Sequence, residues 1–361
     1  MPPQTPIWGI EPHTLAKHQI LRKYWQAWLP IMSRWNGRVL YIDGFAGPGE
    51  YVGGESGSPI IALDEAVGHR ATINSEVVFL FIEDGPERAE HLQSLLEERD
   101  LPNNFNYEVV NSKFDQTVSQ VLDQVDVANR RLAPTFALID PFGYSHTPIN
   151  VIRRLMSNSR CEVLITFMYQ FINRFVSQES QWAHLDGLYG TQDWRAAINS
   201  ESSSERLSVL HGVYKRQLEQ YAGAKYVLPF KMEDSGGRTE YFLFFCTNSL
   251  KGLSVMKDAM YRVDPSGNFS YSYAANPGQL QLFDAAPDFS RLRTEVSGHF
   301  SGRTVSVEEI EEFVLVETAF LSTHYKRQVL APMERDGAIE VVSTRNRRLT
   351  YPARTRISFH A

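Results

Sequence analysis

Short apolar runs alternate with amphipathic segments along the first half of the chain. Five of these runs have the length and residue types of buried strands, and the segments between them carry apolar residues at helical spacing. This alternation is typical of an α/β protein with a mostly parallel sheet. The predicted strands comprise residues 39–43, 77–83, 106–110, 135–140 and 162–168.

The pattern changes after the fifth predicted strand. Residues 169–222 are mostly polar with recurring aromatic residues, and they are predicted to form a helical insertion. Such an insertion would overhang the carboxyl edge of the sheet, where substrate-selecting elements lie, although core packing is the commoner use of such aromatic residues. Strands at 225–231 and 241–247 then flank a glycine-containing turn, which predicts a hairpin. A helix at 254–263 and a linker over 264–289, rich in Gly, Pro and small polar residues, follow.

The last segment of the chain has a different pattern. Residues 307–316 and 323–336 are predicted helices, and residues 337–342 and 349–351 are predicted to pair as a wing. Two helices followed by a two-stranded wing predict a winged helix-turn-helix domain over residues 290–361. This fold serves either nucleic-acid binding or protein contacts. For nucleic acid, the second helix and the wing would supply Lys326, Arg327, Arg345, Arg347 and Arg348.

Composition excludes several classes of protein. Of the 361 residues, 43% are hydrophobic and 22% are charged, as in ordinary globular proteins. Cys161 and Cys246 lie in separate apolar runs, which favours reduced core residues over a disulfide or a zinc site. The first residues lack a signal-peptide pattern, and no apolar run reaches the roughly 18 residues of a membrane span. We therefore expect a soluble, cytoplasmic protein with no metal centre and no membrane contact.

Charge is distributed unevenly along the chain. The formal net charge is −6, yet residues 321–361 contain eight Lys or Arg and only three Asp or Glu. A basic C-terminal module on an acidic body favours contact of that module with nucleic acid.

The first predicted strand runs into a loop that holds six glycines between residues 44 and 57. Such loops bring backbone N–H groups close to a ligand, because glycine has no Cβ to block the approach. The spacing is Asp-x-Phe-x-Gly-x-Gly and differs from the Gly-x-Gly-x-x-Gly fingerprint of dinucleotide sites. It resembles the first motif of S-adenosylmethionine (SAM) dependent methyltransferases that modify amino groups of nucleic-acid bases. The alternative is a tight turn without a ligand. The motif residues are Asp43, Phe45, Gly47 and Gly49.

Polar residues near three other predicted elements extend this candidate cofactor site. Glu83 ends the second strand, where a carboxylate can accept hydrogen bonds from both ribose hydroxyls of a nucleotide. Asp115 follows the third strand and is a candidate for the adenine amino group, or else a helix cap. Lys17 lies in a predicted helix over residues 13–29 and forms a Lys-His pair with the next residue. This pair resembles one in bacterial ribosomal-RNA adenine methyltransferases, where it lies near the cofactor or the substrate.

The fourth predicted strand ends in Asp140-Pro141-Phe142, which resembles the Asp/Asn/Ser-Pro-Pro-Tyr/Phe motif of amino methyltransferases. A base amino group is a poor nucleophile, because its lone pair is conjugated with the ring. A side-chain and a main-chain oxygen therefore accept its hydrogens, while an aromatic ring clamps the base. Asp140 would be the acceptor and Phe142 the clamp. The single proline and the early aromatic residue depart from the motif and leave the target atom open. A turn after a buried strand is the alternative.

Together these stretches resemble the three-Cys-motif partner (TcmP) family of bacterial proteins. The resemblance implies a methyltransferase-like domain with a C-terminal winged helix. It also implies a partner bearing three clustered cysteines, similar to radical-SAM enzymes, to which any iron–sulfur chemistry would belong. The strings that carry the resemblance are HTLAKHQILRKY, LYIDGFAGPGEY, GSPIIALDEA, LIDPFGY and GQLQLF.

The sequence thus predicts an α/β protein with a Rossmann-like SAM-methyltransferase sheet, mostly parallel with an antiparallel last hairpin. Residues 1–263 would form this domain, with the helical insertion inside it and the winged helix-turn-helix after it. The predicted function is SAM-dependent methylation of DNA or RNA at a base amino nitrogen. The alternative is a non-catalytic or merely SAM-binding subunit that docks the three-cysteine partner on DNA. The predicted cofactor residues are Asp43, Phe45, Gly47, Gly49, Glu83, Asp115 and Lys17, and the predicted catalytic residues are Asp140, Pro141 and Phe142.

Overall fold

Two units make up the chain. The computed structural model describes residues 7, 9–234, 236–264, 269–272 and 287–360. The sheet unit comprises Met1–Val255 and Ser270–Gln279, and the winged-helix unit comprises Met256–Phe269 and Leu280–Ala361. Most of the predicted linker, including the GQLQLF string, lies outside the described residues.

Eight strands form the central sheet of the sheet unit. They are β1 (Arg38–Asp43), β2 (Glu76–Glu83), β3 (Phe105–Asn111), β4 (Thr135–Ile139), β5 (Cys161–Phe167), β6 (Tyr226–Glu233), β7 (Thr239–Thr247) and β8 (Ser270–Ser272). Their order is β3-β2-β1-β4-β5-β7-β6-β8. Strands β1 to β5 are parallel, and β7 is antiparallel to β5 and β6. This order confirms the predicted SAM-methyltransferase sheet.

Helices cover both faces of this sheet. They are α1 (Pro12–Ser33), α2 (Ser58–Val67), α3 (Pro86–Glu97), α4 (Phe114–Val127), α5 (Ile149–Met156), α6 (Tyr169–Phe175), α7 (Trp182–Tyr189) and α8 (Ser203–Gln220). A further helix, α9 (Leu250–Val263), begins in the sheet unit, and its residues from Met256 onward belong to the winged-helix unit. The predicted insertion is indeed helical: it comprises α6 to α8 and two short 3₁₀ segments, Glu179–Gln181 and Asp193–Asn199. None of the described helices is long and apolar enough to cross a membrane.

Two boundaries in the sheet unit differ from the prediction. Strand β8 lies inside the predicted linker, where it pairs in parallel with β6 and extends the sheet. Helix α1 continues past the predicted end at residue 29, although Pro30 lies in its interior. Proline removes the hydrogen bond to the carbonyl four residues earlier. That carbonyl, of Gln26, instead faces His69 Nε2 at 2.9 Å, so the helix continues without a buried unpaired acceptor.

Helix α1 is fixed on one face of the sheet by aromatic packing. The ring centroids of Tyr24 and Phe136 lie 5.0 Å apart, as do those of Trp25 and Tyr41. Burying each such side chain contributes about 1.5–3 kcal/mol. The Tyr24 hydroxyl also donates to the buried Glu162 carboxylate of β5 at 2.5 Å. These contacts hold α1 so that its first turns reach the carboxyl edge of the sheet.

The insertion packs on the opposite face and supplies part of the main core. Tyr189, Trp194 and Tyr214 are fully buried there, so these aromatic residues serve packing. The core also includes Cys161 of β5 and Cys246 of β7, which are buried free thiols.

Besides the end of α9, the described residues of the winged-helix unit form several helical segments and a small sheet. Its elements are α10 (Phe289–Phe300), β9 (Thr304–Ser306), α11 (Val307–Glu317), a π-helical turn (Lys326–Leu330), α12 (Ala331–Arg335), β10 (Ile339–Val341) and β11 (Arg356–Phe359). The strands pair antiparallel in the order β10-β11-β9. This arrangement confirms the predicted winged helix-turn-helix and adds α10 and β9 to it.

The return strand of the wing lies further along the chain than predicted. It is β11 rather than residues 349–351, because Leu349 adopts a φ of +58° that interrupts an extended strand. In β11, Ile357 and Phe359 are buried, in the alternating pattern of a strand with one covered face.

Candidate active site

A cavity of about 530 Å³ lies at the carboxyl ends of β1, β4 and β5. This edge is where open α/β sheets bind their ligands. The first turns of α1, the glycine-rich loop after β1, and the start of β7 complete its walls. Seven of the ten residues predicted for cofactor binding and catalysis line it, namely Lys17, Phe45, Gly47, Gly49, Asp140, Pro141 and Phe142.

The glycine-rich loop folds back tightly on itself. The Gly57 N–H donates to the Gly49 carbonyl at 2.6 Å, and a Cβ on Gly57 would lie 2.9 Å from that oxygen. Gly49 has a φ of +89°, and a Cβ there would lie 2.8 Å from Leu92 Cδ1. Both positions therefore need glycine for the loop to keep its course beside the cavity.

Asp43 ends β1 as a buried carboxylate with an open acceptor. Its Oδ1 accepts from the Phe45 N–H at 3.3 Å, while its Oδ2 has no hydrogen-bond partner among the described residues. Burial raises the pKa of Asp43 to about 7, against the opposing effect of the Ser58 hydroxyl. An unpaired buried acceptor of this kind is costly unless a ligand supplies a donor.

Asp140 follows β4 and forms the chemical centre of the cavity. Its Oδ2 pairs with Lys17 Nζ, from a residue 123 positions away in the sequence, and its Oδ1 accepts from the Thr166 hydroxyl at 2.6 Å. Burial alone would raise the pKa of Asp140, but the Lys17 ammonium and the Thr166 hydroxyl hold it below its usual range. The side chain is 23% exposed, so an ionised carboxylate with spare lone pairs faces the cavity.

Phe142 and Pro141 follow Asp140 along the cavity wall. Phe142 is 36% exposed, so part of its ring is accessible from the cavity that it lines. An exposed ring beside an ionised carboxylate offers a flat surface on which an aromatic ligand can stack.

Glu83 and Asp115 do not line the cavity. Glu83 is nearly buried, and its carboxylate accepts from the N–H groups of Gly47 at 2.9 Å and Gly85 at 2.8 Å and from Arg88 Nε at 2.7 Å. Asp115 lies in the first turn of α4, and its Oδ1 is buried without a partner among the described residues. Their assignment to ribose and adenine stays a prediction.

Several cavity residues escape a reading of the sequence. Thr166 of β5 and Tyr241 of β7 reach the cavity only because these two strands pair. A threonine near the end of a mostly apolar strand was the signal available in the sequence. His18, by contrast, belongs to the Lys-His pair recognised in the sequence; it lines the cavity as well, and burial lowers its pKa to about 3, so it is neutral.

An imidazole lies between two carboxylates on the same wall. His13 Nε2 is 3.0 Å from Glu11 Oε2, and its Nδ1 is 3.2 Å from Glu240 Oε2. These three residues have the chemical composition of a cation site, but both ring nitrogens already face a carboxylate. Their geometry is that of a hydrogen-bonded chain along the wall.

The basic residues predicted in the winged-helix unit differ in their surroundings. Arg327 and Arg347 are exposed, and Lys326 is half-buried with its Nζ 5.7 Å from the centre of the Tyr325 ring. Arg345 is instead 14% exposed and forms a bidentate pair with Glu334. Arg348 is 76% exposed, with its Nε 3.6 Å from the same carboxylate.

Comparison with known proteins supports the assignment of the C-terminal part. Residues 270–346 match the family model of the GMT-like wHTH domain. This match covers most of the winged-helix region, up to residue 346, and does not place the whole chain in a family. A search of curated proteins found no match.

Solved structures with similar folds include two that contain SAM or its product. Trm1 from Pyrococcus horikoshii, with S-adenosyl-L-methionine, is 13% identical over 70% of this chain and 60% of its own, with a TM-score of 0.37. Human methyltransferase-like protein 13, in complex with SAH, is 9% identical over 69% of this chain and 91% of its own, with a TM-score of 0.35. Similarity this low assigns no activity to the chain.

Proposed function

We propose that this protein is a SAM-dependent methyltransferase that acts on nucleic acid, with a base amino nitrogen as the acceptor. The observation that carries the proposal is Asp140, an ionised carboxylate that faces the cavity beside the glycine-rich loop. SAM, when bound, supplies an electrophilic methyl group. The role of the chain is then to hold the acceptor nitrogen in line and to polarise it.

The surroundings of the cavity fit the chemistry of SAM in two respects. Asp43 Oδ2 and Asp115 Oδ1 do not line the cavity, but they are buried acceptors without partners among the described residues, at the end of β1 and in the first turn of α4. Carboxylates also outnumber lysine and arginine on the cavity wall, which suits a cationic ligand. The acidic residues of that wall are Glu11, Glu50, Asp140 and Glu240, and the lysine is Lys17.

On the acceptor side, Asp140 would accept a hydrogen of the base amino group and Phe142 would stack on the base. An amino group becomes a better nucleophile as its hydrogens are drawn toward an anionic acceptor. Lys17 and Thr166 keep that acceptor ionised and fix its orientation. A base in a duplex would have to leave the stack to reach this cavity.

The winged-helix unit would supply affinity for the nucleic acid. Arg327 and Arg347 are exposed cations on the helical segment and the wing. Contacts of this kind with phosphates position a nucleic acid without reading its sequence.

The occupied carboxylate of Glu83 favours a second candidate function. With three donors already on its two oxygens, Glu83 has less capacity for ribose hydroxyls than a free carboxylate. In this case the protein would be a nucleic-acid-docking subunit without methyl transfer. The partner would then be the radical-SAM-like protein with three clustered cysteines that the TcmP resemblance implies.

Calorimetric titration of the full chain with SAM, alongside NAD, separates these two functions. We expect SAM to bind, NAD not to bind, and Asp140→Ala to retain SAM affinity within about twofold. Transfer of labelled methyl groups to RNA or DNA should fall by about 10²–10³ in Asp140→Ala, the usual cost of a lost electrostatic contact to the reacting group. The exposed Asp100→Ala is the matched control and should retain activity. Absence of SAM binding would refute the proposed methyltransferase activity and favour the function as a docking subunit.

A further inference from the structure

A second concave site, with a volume of about 780 Å³, lies in the sheet unit beside the candidate active site. We call it the α6–α8 groove, because α6 and the first residues of α8 form most of its wall and the start of β7 completes it. Its polar lining includes Asn173, Arg174, Ser203, Ser204 and Arg238.

The groove and the active-site cavity have opposite charge. Arg174 and Arg238 line the groove, and no carboxylate is among the lining residues that the structure describes. Arg238 pairs with Asp234 at 3.0 Å, whereas exposed Arg174 has no ion pair within the described ranges. The first turn of α8 has the partial positive charge of a helix N-terminus; Glu205 of that turn offsets part of this charge but does not line the groove. The groove is therefore suited to an anion, and the neighbouring cavity to a cation.

The two sites adjoin through shared elements. The Phe171 side chain lines both of them. On β7, Thr239 lines the groove and the next residue, Glu240, lines the cavity. After β5, Met168 lines the cavity and Tyr169 the groove. A single extended ligand can thus contact both sites at once.

We infer that the α6–α8 groove binds the phosphodiester backbone of the nucleic-acid strand whose base enters the active-site cavity. This inference rests on the proposed function for the identity of the strand. The guanidinium of Arg174 can bind a phosphate through two parallel hydrogen bonds, and the Ser203 and Ser204 hydroxyls can donate to neighbouring oxygens. Phe171, at the junction, offers a ring on which an adjacent base can stack. The insertion therefore selects a polyanionic strand rather than a small molecule.

The test is the affinity of the full chain for a fluorescent 12-nucleotide single strand, as DNA and as RNA, at several salt concentrations. We expect Arg174→Ala to weaken binding on the order of threefold to tenfold at low salt. The negative slope of log K against log[salt] should become less steep by about 0.7, which corresponds to the loss of one phosphate contact on a single strand. Arg130→Ala, also an exposed arginine of the sheet unit, is the matched control and should change neither quantity.

Four results would overturn the inference. The first two are an unchanged salt slope in Arg174→Ala and an Arg130→Ala variant that loses as much strand affinity as Arg174→Ala. The third is an Arg174→Ala variant that loses as much affinity for a methylphosphonate strand, whose backbone is uncharged, as for the natural strand. The fourth is a mononucleotide that binds as tightly as the strand. SAM titration of the same variants keeps the two proposals apart. If strand binding depends on Arg174 but SAM does not bind, the proposed role of the groove stands and the proposed methyltransferase activity is refuted. If SAM binds but strand binding does not depend on Arg174, the proposed activity stands and the role of the groove is refuted.

Discussion

At the scale of single residues, the candidate active site depends on the contact between Lys17 and Asp140. Lys17 was predicted to bind the cofactor, and the structure places its ammonium on the candidate catalytic carboxylate. A buried carboxylate without a cation would take up a proton near neutral pH and could no longer accept a hydrogen from a base. Lys17 is therefore a positioning residue that sets the protonation state of Asp140.

Replacement of Lys17 should change the pH dependence of the proposed methyl transfer. In Lys17→Met, burial is no longer opposed by the ammonium, so the pKa of Asp140 rises and the acid limb of kcat/KM moves to higher pH. Lys23→Met, on the exposed side of α1, is the control and should leave the profile unchanged. Titration of the Asp140 carboxyl carbon by NMR gives the same pKa without relying on activity. Identical profiles for Lys17→Met and wild type would refute the role of Lys17.

Alanine substitutions at two glycines of the loop after β1 distinguish the cost of backbone strain from the cost of steric crowding. Gly54→Ala places a side chain at a φ of +84° in open space, and this should cost about 1–2 kcal/mol. Gly49→Ala has a similar φ of +89° and also places its Cβ 2.8 Å from Leu92, so we expect a larger loss. Urea unfolding monitored by tryptophan fluorescence measures the difference, because all six tryptophans lie in the first 194 residues, within the sheet unit. Equal losses would mean that Leu92 moves aside freely.

At the scale of elements, the wing shows that basic residues close in sequence serve different purposes. Arg345 connects the wing to Glu334 of α12, and the Tyr351 hydroxyl donates to the same carboxylate at 2.8 Å. The hydrogen bonds from Arg345, in particular, lower the pKa of Glu334. Arg347, two positions further, is exposed. A run of arginines in the sequence could not indicate which one the fold would use internally.

The two arginines should accordingly respond differently to truncation. Arg345→Ala removes charged hydrogen bonds from a nearly buried carboxylate and should destabilise the winged-helix unit by about 1.5–3 kcal/mol. Arg347→Ala should change stability by less than about 0.5 kcal/mol but weaken nucleic-acid binding and its salt dependence. Hydrogen exchange of the winged-helix unit and strand binding by the full chain measure the two effects. Equal hydrogen-exchange protection of the winged-helix unit in the two variants would contradict the different roles assigned to Arg345 and Arg347.

At the scale of the whole molecule, local sequence strings predicted the fold class and seven of the residues that line the candidate cavity. Strand ends, glycine loops and the winged-helix pattern are short-range features, so they can be recognised without a structure. Contacts between distant segments could not be predicted in the same way. The pair of Lys17 with Asp140, the approach of Thr166 and Tyr241, and the α6–α8 groove all depend on how strands and insertion pack. Small additions such as β8 could not be predicted, because its three residues, Ser-Tyr-Ser, are too few to show a strand pattern.

The two buried thiols have a practical consequence. Cys246 of β7 lies directly opposite Val163 of β5, and Cys161 is buried in the same core. Burial raises the pKa of both thiols, so neither forms a reactive thiolate in the folded sheet. Alkylation of the wild-type chain should therefore proceed only at the rate at which the β5–β7 region opens. The rate of thiol alkylation therefore measures how often this part of the sheet opens, and rapid labelling of the native chain would show that these strands separate readily.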